Sequence, residues 1–199
     1  MNLVAVADAA AWTALLLALT AAAGLSVFTF LRPRALTLWI AAACLGIALI
    51  ASASIAEPAR LGYAPLVTIL AFTVAVFGGS PAAATALNLA MGTVAPGLHG
   101  GIIVAERPTA EEQRHGVVAG PRREVLRGGL TIGILERVAS AGAIIAGFPE
   151  ALAIVVAVKG VGRFTELEAP EARERFIIGT FASLIWACAA ALVAHFALR

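Results

Sequence analysis

Long apolar runs separated by short charged segments dominate the chain. Three of these runs, Ala9–Leu31, Ala35–Ala56 and Phe176–Leu198, contain no Asp, Glu, Lys or Arg. Because a helix rises about 1.5 Å per residue, about 20 apolar residues cross the hydrocarbon core of a bilayer. The pattern therefore predicts three membrane-spanning helices and an all-α, polytopic transmembrane helical bundle as the fold class.

The stretch of residues 61–105 is also uncharged, but glycine and proline interrupt it repeatedly. Its first part, residues 62–79, has the length and composition of a further span. Ser80 and Pro81 are residue types favoured at the N-cap and at the first position of a helix, so a second, short helix is predicted to begin there. We expect that helix to lie at the membrane interface or to fold back, and an additional span near residues 82–105 is the alternative.

Residues 138–158 form another apolar run, which Pro149 and Glu150 divide. A single span would place a glutamate and a proline at mid-membrane, where both are unfavourable. A helical hairpin that turns at these residues avoids this cost. Since Lys and Arg are enriched in cytoplasmic loops, their distribution is a second test. With the hairpin, 12 Lys and Arg residues lie on the cytoplasmic side and only Arg60 and Arg199 lie outside. With a single span, nine lie on the cytoplasmic side and five outside. The cytoplasmic basic residues of the hairpin topology are Arg32, Arg34, Arg107, Arg114, Arg122, Arg123, Arg127, Arg137, Lys159, Arg163, Arg173 and Arg175.

These patterns predict about six spans with both chain ends outside. A seven-span topology divides the basic residues 11 to 3, and only the glycine-rich, broken character of residues 82–105 disfavours it. A capping pattern beginning at Thr109 predicts a brief helix that extends to His115. The predicted spans are residues 9–31, 35–56, 62–79, 128–148, 149–164 and 175–198. The predicted regions are an N-terminal membrane region (1–105), a cytoplasmic polar loop (106–127) and a C-terminal membrane module (128–199).

Composition supports membrane residence and excludes other classes. The 199 residues are 61% hydrophobic and 13% charged, whereas a soluble domain carries about 25% charged residues. The formal net charge of +2 is too balanced to indicate a nucleic-acid partner. Cys44 and Cys188 lie in apolar runs and are expected to be small core residues rather than a disulfide. The first residues contain Asp8 and no basic residue, so a cleaved signal peptide is not expected.

The ionisable residues of the C-terminal half converge at one level of the predicted hairpin. A turn at residues 148–149 places Glu136 opposite Val161, between Lys159 and Arg163. Glu136 then lies about 10 Å into its helix, near the boundary of the inner leaflet. An ionisable group at that depth indicates a functional site. The candidate site for an anion or lipid headgroup, at the cytoplasmic mouth of the hairpin, consists of Glu136, Arg137, Lys159, Arg163, Glu174 and Arg175.

The alternative interpretation of this cluster is structural. Arg and Lys side chains can extend to the membrane interface while their carboxylate partners hold neighbouring helices together. The glycines around the cluster permit close helix approach under either interpretation, and glycine-rich backbone beside basic side chains can also hold a phosphate.

Three phrases in this half resemble a family of bacterial integral membrane proteins of unknown function. They are RGGLTIGILERV (127–138), AVKGVGRF (157–164) and ERFIIGTFASLIWA (174–187). The resemblance extends from Leu126 to Ala194 and is carried by the order of the phrases, which include a KGxxRF and an ERFxIGT signature. It implies a shared membrane module in the bacterial cytoplasmic (inner) membrane, with no established activity to transfer.

The leading functional hypothesis is binding of an anionic lipid or an isoprenoid phosphate by the C-terminal module. Two further classes stay open: a non-catalytic assembly subunit that contacts another membrane protein or a second copy of itself, and a small ion-coupled transporter that uses Glu136. An enzyme is the least favoured class, because no acid–base pair, phosphate loop, dinucleotide fingerprint or metal motif is evident, and no cofactor is predicted. The histidines lack ligand spacing, at positions His99, His115 and His195.

Overall fold

The computed structural model describes residues 3–55, 62–92, 102–105, 122–125, 128–162 and 170–199. Within these ranges the chain forms six helices and one pair of short strands. The brief helix predicted from Thr109 to His115 lies outside the described residues, as do His99 and Arg163. The elements are α1 (Leu3–Leu31), α2 (Ala35–Ala53), α3 (Ala64–Met91), β1 (Ile102–Ala105), β2 (Arg122–Val125), α4 (Gly129–Ile145), α5 (Ala151–Gly162) and α6 (Pro170–Leu198).

Four of the described helices are long and apolar enough to cross a membrane. Three of them, within α1, α2 and α6, coincide with the three uncharged runs, so these runs are confirmed as helices of sufficient length and hydropathy to span a membrane. The fourth is α3. The helical fold class is confirmed in this coarser form.

The prediction of a new helix at Ser80–Pro81 is wrong, because α3 continues without interruption from Ala64 to Met91. Pro81 has no N–H to donate to the carbonyl of Phe77, so this helix lacks one internal hydrogen bond. α3 packs against α6 on both sides of the proline, and after Pro81 the Cδ1 of Leu87 would lie 3.6 Å from a Cβ on Gly179. The segment before Pro81 lies against α6, and a Cβ on Gly78 would overlap the Trp186 indole.

The strand pair is a second departure from the sequence-based expectation, which contained no strands. β1 pairs antiparallel with β2, with Ile102 opposite Val125 and Ala105 opposite Arg122. β1 lies at the end of the predicted N-terminal membrane region and β2 in the predicted polar loop. Since residues 82–91 complete α3 and residues 102–105 form β1, the alternative of a separate span near residues 82–105 is also wrong.

The helical hairpin is confirmed by α4 and α5. A Schellman motif ends α4: the Gly147 amide donates to the Ile144 carbonyl at 3.0 Å, and the Phe148 amide donates to the Ala143 carbonyl at 2.8 Å. Gly147 has a φ of 77°, the left-handed conformation that this motif requires. The chain therefore reverses at Phe148, as predicted, and enters α5.

Small residues fill the core between the helices. α3 packs along α6, α1 packs on α2 and α3, and α4 lies against both α3 and α6. Alanine predominates among the buried positions of α6. The largest fully buried apolar side chains of the described residues are Leu15, Leu19, Val67, Val74 and Val193. Helices lined by small residues approach closely, and this closeness brings the polar groups of α3, α4 and α6 into contact.

Candidate functional site

The Arg137 side chain is the polar centre of the bundle. It is 2% exposed and extends from α4 into the space between α3 and α6. Its Nε donates to the Val76 carbonyl at 2.9 Å, and its terminal nitrogens donate to the hydroxyls of Ser80 and Ser183, each at 2.9 Å. The three acceptors are neutral, and they lie near the middle of α3 and of α6.

Glycine makes room for this guanidinium. A Cβ on Gly79 would overlap the Cδ of Arg137, and a Cβ on Gly133 would lie 3.2 Å from one terminal nitrogen. The same segment of α3 receives a second donor, because Nε1 of Trp186 donates to the Val74 carbonyl at 2.9 Å. The Gly78–Gly79 pair therefore lets two large side chains reach backbone carbonyls of α3.

Glu136 and Lys159 form an ion pair between α4 and α5. The Lys159 ammonium donates to Oε2 of Glu136. The Lys159 side chain is 16% exposed and the Glu136 side chain is 11% exposed. The ammonium also lies 5.5 Å from the ring centre of Phe176, in a cation–π arrangement that joins α6 to the pair. The predicted convergence of α4, α5 and α6 around Glu136 is thus present in the structure.

Two buried polar atoms at the site lack a hydrogen-bond partner within the described part of the chain. One is Oε1 of Glu136, the second oxygen of the paired carboxylate, and the other is Nε of Arg175. A buried unpaired polar atom costs about 1–3 kcal/mol, and more when it belongs to a charged group. Such atoms in a folded protein point to a missing partner such as an ion or a water molecule.

The five predicted site residues that the structure describes do not all contact one another. Glu136 and Lys159 are in direct contact, Arg175 is half-buried on α6, and Arg163 lies outside the described residues. Glu174 is exposed and lines a shallow groove with Arg173, beside Pro170, Ile177 and Ile178. Arg137 points away from the Glu136–Lys159 pair, and its guanidinium reaches the middle of α3 and α6.

The divergence of Glu136 and Arg137 follows from helix geometry. Consecutive residues of a helix project about 100° apart, so adjacent side chains face different neighbours. Glu136 faces α5 and Arg137 faces α3 and α6. Ser80 and Ser183, which hold Arg137, were missed as members of the site. Hydroxyl groups within apolar helices commonly hydrogen-bond to the backbone or to another helix, and Ser183 accepts a bond of the second kind.

Comparison with known protein families, with curated proteins and with solved structures finds no match to this chain.

Proposed function

We propose that the protein is a multi-pass protein of the bacterial cytoplasmic membrane that binds an anionic phosphate group, from a lipid or an isoprenoid, at its C-terminal module. The proposal includes the six-span topology and the kinship with bacterial membrane proteins of unknown function. Lys159 and Arg175 are its main ligands, Glu136 positions Lys159, and Arg163 stays a predicted contributor.

A charge imbalance carries this proposal. In the described part of the chain, the inward-facing side chains of α4 and α5 include two largely buried cations, Arg137 and Lys159, and one carboxylate, Glu136. Glu136 pairs with Lys159, and the three hydrogen-bond acceptors of Arg137 are neutral. Placing a charge in a low-dielectric interior costs free energy unless an opposite charge compensates it. An anion would supply the missing negative charge.

The unpaired Nε of Arg175 supports the same ligand class, because an anionic oxygen is the strongest acceptor for a guanidinium N–H. Lys159 lies in the last turn of α5, and Arg175 and Phe176 lie in the second turn of α6. The distribution of Lys and Arg assigns these helix ends to the cytoplasmic side. A headgroup in the inner leaflet could therefore reach them.

The test compares lipid binding by variants that remove one cation each. Lys159→Gln and Arg175→Gln are reconstituted in nanodiscs of phosphatidylglycerol or of phosphatidylcholine, and retained lipid is counted by native mass spectrometry. Each variant should lose phosphatidylglycerol at least about tenfold, because a hydrogen bond between charged groups contributes about 1.5–3 kcal/mol. Arg34→Gln is the matched control, since Arg34 is an exposed arginine assigned to the same membrane side.

Two outcomes contradict the proposal. One is equal retention of both lipids by the wild-type protein. The other is loss of folded protein in Lys159→Gln together with unchanged lipid retention in the Glu136→Gln/Lys159→Gln double variant, whose pair is neutral and of similar shape. That second result would assign the ion pair a purely structural role.

A further inference from the structure

We infer that anion binding at this module is coupled to protonation of Glu136, so that a proton and an anion bind together. This inference rests on the proposed function and adds its regulation. In the structure, the Lys159 ammonium donates a hydrogen bond to Oε2 of Glu136. An incoming anionic oxygen and the Glu136 carboxylate therefore compete for the same cation.

Protonation of Glu136 frees Lys159 for the anion, and the positive charge of the proton balances the negative charge of the anion. When the Glu136 carboxylate takes up a proton it becomes a neutral carboxylic acid, and the ion pair to Lys159 is lost. Among the described residues, Lys159 and Arg137 are then two largely buried cations with no ionised carboxylate bonded to either. Binding of one anion restores the net charge that the cluster had before, so each proton that binds favours an anion, and each anion favours a proton.

The position of Oε1 makes Glu136 suited to this role. Oε1 is buried, and no described residue donates a hydrogen bond to it. A proton can therefore be placed on this oxygen without displacing an existing donor. The pair is also not sealed, since Glu136 is 11% and Lys159 is 16% exposed.

In the part of the chain that the structure describes, few charged groups surround Glu136. On α5 the facing group is Lys159, and on α4 Arg137 lies close enough for an electrostatic interaction. α3 carries no titratable residue along its whole length. On α6, Phe176 contacts the pair, and the charged residues next to it in sequence are Glu174 and Arg175.

The experiment measures anion binding as a function of pH. Phosphatidylglycerol is the probe, because its phosphodiester keeps a single negative charge between about pH 8 and about pH 5, so a change in binding reports on the protein. Wild-type protein should bind this lipid at least about tenfold more tightly at the lower pH. Glu136→Gln keeps a neutral oxygen that can accept from Lys159 and position it, so this permanent mimic of the protonated form should bind tightly at both pH values.

A matched carboxylate serves as control. Glu174→Gln removes an exposed carboxylate on α6 and should keep the wild-type pH dependence. Sulfate added to nanodiscs of phosphatidylcholine distinguishes a free anion from a lipid headgroup. Tight binding of sulfate with the same pH dependence would identify a soluble anion as the ligand and would still support the coupling.

Proton uptake provides a measurement that does not depend on any variant. In weakly buffered solution, binding of one anion to the wild-type protein at intermediate pH should take up a sizeable fraction of one proton, by linkage. Binding without proton uptake and without pH dependence would overturn this inference and leave the proposed function intact. Absence of anion binding at every pH would overturn the proposed function itself.

Discussion

A single arginine side chain connects three helices of this protein. Arg137 donates to a backbone carbonyl and a hydroxyl of α3 and to a hydroxyl of α6, while its own backbone belongs to α4. Hydrogen bonds from a charged donor are stronger than those between neutral groups, so these three bonds stabilise the association of α3, α4 and α6. Apolar packing alone leaves helices in lipid free to rotate or slide, and directional hydrogen bonds fix their register.

Replacement of Arg137 by lysine should destabilise the fold although the charge is kept. A lysine ammonium is a point charge, and it cannot reach three acceptors in the fork geometry of a guanidinium. At least one acceptor is then left unpaired, and we expect a loss of about 2 kcal/mol or more in the free energy of unfolding. Thermal unfolding in detergent measures the effect, with Arg34→Lys at an exposed position as control. Equal midpoints for the two variants would contradict the role assigned to Arg137.

For the charged residues of α4, the sequence predicted the neighbours of Glu136 but not those of Arg137. A count of residues from the turn at Phe148 was enough to predict that Glu136 lies at the height of Lys159, because both helices of a hairpin rise by the same distance per residue. The interior position of Arg137 could not be predicted in the same way. It depends on space left by Gly79 and Gly133 and on hydroxyls of α3 and α6, which only tertiary packing brings together.

At the scale of elements, the local capping signal at Ser80–Pro81 predicts a helix start, whereas the folded chain continues α3 through both residues. Serine followed by proline is a common helix start, yet here both residues lie inside α3. Ser80 instead accepts a hydrogen bond from Arg137, and Gly78 accommodates Trp186. These tertiary contacts place the segment just before Pro81 against α4 and α6, which the local pattern could not reveal.

The turn between α4 and α5 was predicted from Pro149, Glu150 and the distribution of Lys and Arg, and the structure adds a local cause for it. Gly147 supplies the left-handed residue of the Schellman motif. A Gly147→Ala change should cost about 1–2 kcal/mol, since a Cβ disfavours this conformation. Thermal unfolding measures it, and Gly160→Ala is the matched control, because Gly160 lies in helix α5 and an added Cβ would meet no described atom within 4 Å. A similar loss in both variants would show that the left-handed conformation is not the cause.

At the scale of the whole molecule, helix lengths limit how the hairpin can sit in a bilayer. α4 has 17 residues and is about 26 Å long, close to the hydrocarbon thickness of about 30 Å. α5 has 12 residues and is about 18 Å long, too short to cross as a helix by itself. The division of basic residues is the same whether the hairpin crosses fully or turns back within the membrane, so charge does not distinguish these arrangements.

Labelling of single cysteines distinguishes them. In a Cys44→Ala/Cys188→Ala background, Glu150→Cys places a thiol at the exposed hairpin tip, and Ser54→Cys places one after α2. In the six-span topology both react with a membrane-impermeant maleimide from outside, because α4 brings the tip to the same side as the end of α2. Arg34→Cys should react only after the membrane is disrupted. If Glu150→Cys is protected while Ser54→Cys reacts, the hairpin turns back inside the bilayer, and the protein has the four spans of α1, α2, α3 and α6.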